Sequence, residues 1–424
     1  MSLLSNAAAI CASISLLTSA GAKSETLPAG GTYLVRPDPS AGSAVVELWF
    51  RAPAAGYDDA TPALSRIAAT AVAASETNHG SSLSELAANL GGSLTITAYP
   101  DVVSIAMSAP AANARALVRA ITAAYFAPVV TSEGLRGALR DEAVAIEERA
   151  FEPHARLRDM LFAQLFSGGP AHAPVTPDAV STLDVLSADR ITAYAVRAFR
   201  RQNAILALAG NVQASDVALV AAGSPGPAMD PPFDSVTAAR FQTVQETAPL
   251  GGVGIAWLGP PIADRRAATA LDFAARYLFD PLSGTVTRAL SHLQPASLVR
   301  GQFITLHAPG VLMVTISGSS HDQARTQVLE AVTGMSEPLS PKTFEAARKR
   351  FAYRLASDGA TARGRADDAG WYAAQGDAAY APGDPSGTYL QSLASLDPVY
   401  VAQVVREFLI HPAVAELNVD TGSR

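Results

Sequence analysis

An internal duplication runs through this chain. An apolar strand leads through proline into a helix in Val45–Ala68 and again in Val253–Ala275, so that Leu64 matches Leu271. Four further stretches recur in the same order at a spacing of about 210 residues. Any single match is weak, but five in one order indicate that two copies of the same unit make up the chain.

The duplication predicts two domains, preceded by a leader. Ala221–Ser235 is dense in proline and glycine, as linkers are, and it separates a domain over 23–220 from one over 236–424. Residues 1–22 are uncharged and end in Ala-Gly-Ala, the small-x-small pattern of a secretory cleavage site, although the usual basic start is missing. They predict an export signal and, with it, a periplasmic location.

The composition bears on membranes and nucleic acid. The chain is 49% hydrophobic and 16% charged, with a net charge of −7 and no block of Lys or Arg. This balance argues against nucleic acid as a partner. After the leader, no segment approaches the roughly 20 apolar residues of a membrane-spanning helix, so we expect no integral membrane span. The single cysteine, Cys11, lies in the leader, which excludes a Cys-based metal site and a disulfide framework.

Capping and turn signals predict the elements within each unit. Ser82–Glu85 is a capping box that opens a short helix, Leu94–Tyr99 and Val102–Ser108 form a hairpin, and Asp397-Pro398 starts a helix in the second unit. Alanine-rich helices are predicted over 111–125, 133–150 and 154–166. The fold class is therefore α+β: two tandem homologous domains, each an antiparallel (mixed) β-sheet with α-helices packed on one face.

Few residues carry recognisable chemistry. No two of the seven histidines lie four apart, so no helix face carries a zinc-binding pair. Neither a glycine-rich phosphate loop nor a G-x-S-x-G elbow is present. One acidic cluster, Glu142, Glu147 and Glu148, lies on a predicted helix. Its simplest interpretation is a solvated face paired with Arg140 and Arg149.

The order of these elements resembles the insulinase/pitrilysin metallopeptidase family, in the two-domain branch that includes the mitochondrial processing peptidases. That family has a strand, a helix bearing H-x-x-E-H, a helix with a Gly-Gly pair, a strand, and later an acidic helix with a third zinc ligand. The stretches VVELWFRAPAAGYDD, SSLSELAANLGGSLTITAYPD, LRDEAVAIEER and LAGNV follow that order here. The resemblance covers nearly the whole chain from about residue 27.

The resemblance also implies that the catalytic residues are lost. Ser65 and Ala69 stand in place of the two histidines of H-x-x-E-H, and Ala68 in place of the general base. An Arg and a Tyr that position the substrate carbonyl in the family fall on Gln294 and Gly301. Catalytic zinc needs three protein ligands and an open position for water. No metal and no cofactor are therefore expected in this chain.

The resemblance implies an inactive subunit of a heterodimeric periplasmic zinc metallopeptidase. A homologous subunit bearing H-x-x-E-H would hold the zinc, in a heterodimer or a dimer of heterodimers, and this chain would close a peptide-binding chamber and complete its active site. In the family, peptide adds as a strand to the edge after the Gly-Gly pair. The corresponding residues are Ser93, Leu94, Thr95, Ile96 and Thr97, which also fit an ordinary amphipathic strand.

Two other functions remain open. The chain fits a non-proteolytic structural or assembly subunit of a larger complex, like the core subunits of respiratory complexes in the same family. It also fits an enzyme with a relocated metal site, in which His79, His154 or His172 would bind metal together with the acidic helix.

Overall fold

The structure, a computed structural model, describes residues 24–27, 30–51, 63–76, 80–99, 101–166, 183–222, 239–292, 298–318, 321–381 and 388–419. The leader expected over 1–22 lies outside them, as does 223–235 of the expected linker. Gln294, His79 and His172 also lie outside them. Within this part of the chain, no helix has the length and apolar character needed to cross a membrane.

Two β-sheets form the framework. The strands are β1 Ser24–Thr26, β2 Thr32–Pro37, β3 Ser43–Arg51, β4 Ser93–Ala98, β5 Val102–Pro110, β6 Ala204–Gly210, β7 Thr243–Ala248, β8 Gly252–Gly259, β9 Leu298–Ile304, β10 Gly310–Ser317 and β11 Ala413–Val419. The first sheet has the order β1-β2-β6-β3-β5-β4, and the second has the order β7-β11-β8-β10-β9.

Apart from β1, the two sheets share one topology. β2 pairs parallel with β6, as β7 does with β11, and the other neighbouring strands pair antiparallel. Each of the strands β2 to β6 therefore has a counterpart at the same place in the second sheet. The repeat in the sequence is thus also a repeat of strand order and direction.

The helices of the described residues repeat in the same way. They are α1 Leu64–Ala74, α2 Leu83–Asn89, α3 Ala114–Phe126, α4 Ser132–Phe151, α5 Pro153–Leu165, α6 Ala188–Ala198, α7 Arg265–Phe279, α8 Thr285–Leu290, α9 His321–Gly334, α10 Pro341–Asp358, α11 Ala362–Ala374, α12 Thr388–Ala394 and α13 Pro398–Phe408. By their place in the repeat, α1 matches α7, α4 matches α10 and α5 matches α11.

Local signals in the sequence account for several of these boundaries. The hydroxyl of Ser82 accepts the N–H of Glu85 (3.2 Å), and the Glu85 carboxylate accepts the N–H of Ser82 (2.8 Å), so the predicted capping box opens α2. Asp397 accepts the N–H of Tyr400 (2.9 Å) at the start of α13, with Pro398 in the first turn. The hairpin is confirmed as β4 and β5, and the three predicted helices as α3, α4 and α5.

Each sheet carries a layer of helices on one face. In the first half, Phe50 of β3 and Ile67 of α1 are buried in a core that α3 and α6 complete. In the second half, Trp257 of β8 and Leu271 of α7 occupy the corresponding core. The α+β prediction, with two mixed sheets that each carry helices, is confirmed.

The opposite face of each sheet is covered by a helix from the other half. α5 packs on β8, β10 and β11 of the second sheet through Leu157 and Leu161. α11 packs on β2, β3 and β6 of the first sheet through Ala366 and Ala369. The two halves are therefore interlocked by an exchange of helices, which adds a second layer to the single helical face expected from the sequence. Strands that are buried on both sides, such as β3, require such double coverage.

Candidate functional site

The side chains of Ser65, Ala68 and Ala69 lie in the core of the first half. All three are 0% exposed, and the carbonyl of Ala69 accepts a hydrogen bond from the Tyr125 hydroxyl at 2.8 Å. The Ser65 hydroxyl is buried without a hydrogen-bond partner in the described part of the chain. The positions at which the sequence places H-x-x-E-H therefore face packed side chains.

A charged contact lies one residue further along α1. Arg66 and Thr70 are half-buried, and residues four apart share one side of a helix. Nη2 of Arg66 donates to Oε1 of Glu142 on α4 at 2.5 Å, and the two side chains are 27% and 3% exposed. This ion pair joins the helix expected to carry H-x-x-E-H to the acidic helix.

The acidic cluster divides into one buried and two exposed carboxylates. Glu142 is buried, whereas Glu147 and Glu148 are exposed. The predicted solvated face is therefore correct for Glu147 and Glu148 and wrong for Glu142, whose neighbour across the helix contact is Arg66. Burial raises the pKa of Glu142, and its hydrogen bond with Arg66 and the charges of Arg66 and Arg149 offset part of that rise. The arrangement holds two helices together through a charge-assisted hydrogen bond.

The geometry around Glu142 is that of an ion pair. Zinc sites use three or four His, Cys, Asp or Glu ligands, and the described residues contain no group of three such side chains that could hold a metal ion. The Arg66 guanidinium, in contact with Oε1, also places a positive charge beside the carboxylate. A cation approaching Glu142 would be repelled by that charge.

His154 has a structural role in α5. It is 5% exposed, and its ring nitrogens lie 2.8 Å from the Thr315 hydroxyl and 3.2 Å from the Ser317 hydroxyl, both on β10. Burial lowers its pKa, and the charge of Arg300 lowers it further, so a neutral imidazole links α5 to the second sheet. Both ring nitrogens are engaged in these contacts, which does not fit the metal-ligand role considered for His154.

Gly301 lies within β9, opposite Val314 of β10. A Cβ atom at Gly301 would be 2.4 Å from Cγ of Phe279, so any larger side chain there requires the Phe279 ring to move. Its neighbour Arg300 pairs with Glu152 at the N-terminus of α5 (3.1 Å). The position to which the resemblance assigns the substrate-positioning residue therefore holds a glycine beside an aromatic ring.

The proposed peptide-binding residues lie on an edge strand. β4 pairs with β5 and is the last strand of the first sheet. Ser93 and Thr95 are exposed, whereas Leu94 and Ile96 pack against the core of the first half. Thr97 is half-buried. An edge strand presents backbone N–H and C=O groups to which an extended peptide can add.

Sequence reasoning missed the Arg66–Glu142 pair. The signal was present, because Arg66 is the only charged residue in the helix sequence LSRIAATAVAA. A single cation in an otherwise apolar helix needs an anionic partner or solvent. Its partner stands 76 residues away in sequence, so the pair could be recognised only once the helices were placed.

Solved structures share this fold at low sequence identity. A protease from Helicobacter pylori has a TM-score of 0.78 at 14% identity, over 94% of this chain and 99% of that one. A peptidase M16 inactive domain from Pseudomonas fluorescens has a TM-score of 0.76 at 14% identity, over 95% and 99%. A chain of complex III2 from Candida albicans, with Inz-5 bound, has a TM-score of 0.76 at 14% identity, over 94% and 96%.

These likenesses show that the chain has the two-domain M16-like peptidase fold over nearly its whole length. No family model matches the sequence, and no curated protein is significantly similar to it.

Proposed function

We propose that this chain is the non-catalytic subunit of a periplasmic, heterodimeric zinc metallopeptidase. A homologous subunit with H-x-x-E-H would hold the zinc ion, and this chain would close the peptide chamber and complete the partner's site. The observation that carries the proposal is the Arg66–Glu142 pair, which joins α1 to α4. These are the two helices on which the resembled family carries its zinc ligands. The inactive M16 domain among the structural neighbours supports the proposal.

The proposal includes a revised register for the lost motif. Ser65 and Ala69 are enclosed in the core, whereas Arg66 and Thr70 have the same spacing and are half-buried. Arg66 already contacts Glu142. We therefore place the two lost histidines at Arg66 and Thr70, so that Ala69 replaces the general base and a guanidinium stands where the metal would be.

The revised position of the H-x-x-E-H motif is tested by introducing histidines as zinc ligands. Arg66→His with Thr70→His, in the presence of Glu142, supplies three ligands and is expected to bind Zn²⁺ with a Kd of about 1 µM or tighter by titration calorimetry. The matched control is Ser65→His with Ala69→His, which places two imidazoles in the core. The control is expected to lower the thermal midpoint without zinc binding. Stoichiometric zinc in the control alone would return the register to Ser65 and Ala69.

Heterodimer formation has a direct test. The chain is co-expressed with an H-x-x-E-H homologue from the same genome, and the pair is run on gel filtration at about 10 µM, well above a micromolar Kd. The expected result is a complex that cleaves fluorogenic peptides faster than the homologue alone. A homologue in which the motif Glu is replaced by Gln should form the same complex without cleavage. Separate elution of the two chains would contradict the proposal.

Peptide binding and export complete the proposal. Peptide would add to the free edge of β4, at Ser93–Thr97, because that edge of the first sheet has no further strand in the described residues. Export is tested by cell fractionation of the full chain against one that begins at residue 23, and recovery of both from the cytoplasm would refute the periplasmic assignment.

A second candidate function is a non-proteolytic structural or assembly subunit. The likeness to a chain of complex III2 favours it. Affinity purification of the tagged chain at native expression level distinguishes the two. A large complex of fixed stoichiometry without peptide hydrolysis supports the structural role, whereas a two-chain complex that hydrolyses peptide supports the peptidase subunit.

A further inference from the structure

A small cavity opens between α7 and α10 in the second half. It has a volume of about 40 Å³. Phe273 and Phe351 form part of its apolar floor, and Arg276, Arg350 and Arg354 surround it. Both phenylalanines belong to the buried core of that half.

This cavity corresponds to the Arg66–Glu142 contact of the first half. In the register of the repeat, Phe273 of α7 matches Arg66 of α1, and Phe351 of α10 matches Glu142 of α4. At these matching positions the second half therefore has two buried aromatic rings, where the first half has an ion pair. In the second half, the positive charges of the arginines lie at the entrance to the cavity and not between the two helices.

The entrance is positively charged overall. Arg276, Arg350 and Arg354 bring three guanidinium groups, and Asp280 brings one carboxylate. Oδ1 of Asp280 already accepts the N–H and the hydroxyl of Ser283, at 2.8 and 2.9 Å. Partial burial opposes the ionisation of Asp280, but these hydrogen bonds and the charge of Arg276 hold its pKa below the usual range. Asp280 is thus a fixed anion, and Asp358 pairs with Arg354 at 3.6 Å, so one positive charge remains in excess among these groups.

The guanidinium groups of Arg276 and Arg350 are available to a ligand. Arg276 lies 6.0 Å from the ring centroid of Phe351, whereas Arg354 forms an ion pair with Asp358 at 3.6 Å. Arg350 is exposed. Within the described residues, the side chains of Arg276 and Arg350 have no hydrogen bond or ion pair with a carboxylate. Arginine in this state binds carboxylate and phosphate oxygens through charge-assisted hydrogen bonds.

The size of the cavity limits the ligand to one small group. A cavity needs about 10–15 Å³ to hold a water molecule, so 40 Å³ accommodates roughly three heavy atoms, as in a carboxylate. Drug-sized ligands need about 300 Å³ or more. Tyr277 also lines the cavity and is half-buried, so its ring gives a surface for an apolar substituent next to the anion.

We propose that this cavity binds the C-terminal carboxylate of a peptide whose last side chain is apolar. Arg276 and Arg350 would donate to the carboxylate, and the ring of Tyr277 would contact the last side chain. The choice of a peptide as the carrier of the carboxylate rests on the proposed function. The assignment of an anion site rests on the cavity and its three arginines.

The test measures peptide binding to the purified full chain alone. The probe is fluorescein-labelled Ala-Ala-Phe, prepared as the free acid and as the C-terminal amide, and binding is followed by fluorescence polarisation. The free acid is expected to bind at least tenfold more tightly. Arg350→Gln should weaken binding of the free acid about tenfold and leave the amide unchanged, since one charge-assisted hydrogen bond is lost.

The matched control is Lys349→Gln. Lys349 is exposed on α10, directly before Arg350, and does not line the cavity. Its substitution removes the same charge and should leave the affinity unchanged. Equal binding of acid and amide, or an equal loss in the Lys349 variant, would overturn the proposal. Displacement by inorganic phosphate without any preference for the free acid would overturn the assignment to a peptide.

The two proposals can fail separately. Peptide binding intact in a chain that never joins the H-x-x-E-H homologue would contradict only the proposed function. An active heterodimer whose non-catalytic chain shows no preference for the free acid would contradict only the carboxylate site.

Discussion

The two exchanged helices pack on their sheets with opposite distributions of side-chain size. In α5 the large residue is on the helix, because Leu161 lies over Gly254 of β8, where an added Cβ would be 2.9 Å from the leucine. In α11 the matching residue is Gly370, and it lies over Trp49 of β3, where an added Cβ would be 1.9 Å from the indole nitrogen. What the two interfaces share is a large side chain that packs against a glycine, which lets the helix and the sheet approach closely.

The same two halves differ in the contact between their core helices. The first half joins α1 and α4 through Arg66 and Glu142, and the second half places Phe273 and Phe351 at the matching positions. The two halves thus share one strand order, while the side chains at these matching helix positions differ in chemistry. The two halves are therefore best compared by pairs of residues at matching positions, and not by single residues.

The largest loss of stability is expected from a substitution that disrupts the packing of α11 on the first sheet. Gly370→Leu gives α11 the residue that α5 has, but the new side chain meets the Trp49 ring. We expect the free energy of unfolding to fall by about 4 kcal/mol as measured by urea denaturation, which exceeds the usual overpacking cost of about 1–3 kcal/mol because even the Cβ atom overlaps the indole. Gly137→Leu is the control, because Gly137 lies on α4 with open space around its Cβ position. It should change stability by less than about 1 kcal/mol.

A second substitution sharpens this result. Combining Gly370→Leu with Trp49→Ala reproduces the pairing in α5, where a large helix residue lies over a small strand residue. We therefore expect the double variant to lose about 2 kcal/mol less stability than the sum of the two single losses. Strict additivity of the two losses would show that Gly370 and Trp49 are not the complementary pair described above.

Truncation of the large residue in α5 is expected to cost about 3 kcal/mol. Leu161→Ala removes buried methyl groups and leaves a cavity over Gly254, because the rigid sheet cannot collapse into it. The measurement is again the urea midpoint. Filling the cavity with Gly254→Ala in the Leu161→Ala background should recover part of the loss. A Leu161→Ala variant as stable as the original would show that α5 is held by its polar contacts.

The contacts at the C-terminal ends of α5 and α11 differ in whether they make the stability depend on pH. At the end of α11, Asp101 is 3% exposed and accepts a hydrogen bond from Gln375 at 2.8 Å, whereas Gln164 near the end of α5 donates to the carbonyl of Val414 at 3.1 Å. Burial raises the pKa of Asp101 to about 6, against the partial opposition of the Gln375 hydrogen bond and the charge of Arg51. The folded chain therefore holds this proton more tightly than the unfolded chain.

The sign of the effect follows from that difference. The contribution of protonated Asp101 to the free energy of unfolding is fully present below about pH 4. It is lost as the pH rises through about 6, and the whole loss amounts to up to about 3 kcal/mol. Asp101→Asn keeps an acceptor for Gln375 and should remove this slope from urea midpoints measured between pH 4 and 8. An unchanged slope in the variant would assign the pH dependence to another group.

The smallest loss of stability from a single substitution is expected at the Arg66–Glu142 ion pair. Arg66→Ala leaves Glu142 buried and unpaired at neutral pH, and we expect a loss of about 2 kcal/mol, less than for a fully buried pair because Arg66 is 27% exposed. The loss should shrink at acid pH, since the raised pKa of Glu142 lets the carboxyl become neutral. Arg66→Met with Glu142→Met imitates the apolar second half and should lie within about 1 kcal/mol of the original. A double variant as unstable as Arg66→Ala would contradict the equivalence of the two pairs.

Sequence patterns predicted the elements whose signals are local. The Ser82–Glu85 capping box, the β4–β5 hairpin and the start of α13 at Asp397 are each encoded within a few residues, and each was found. The candidate site was predicted less well. The acidic helix was recognised, but the burial of Glu142 and its pairing with Arg66 depend on a contact between helices that are distant in the chain.

The amino-acid sequence by itself determined that the chain is a duplicated α+β unit, because repeats, caps and turns are read from neighbouring residues. It also determined that no pair of histidines with metal-binding spacing is present. Only the tertiary structure decided that α5 and α11 exchange sheets and that Arg66 pairs with Glu142. An apolar helix face fits any apolar sheet of matching volume, so the choice between two similar sheets depends on facing side chains that local sequence does not bring together.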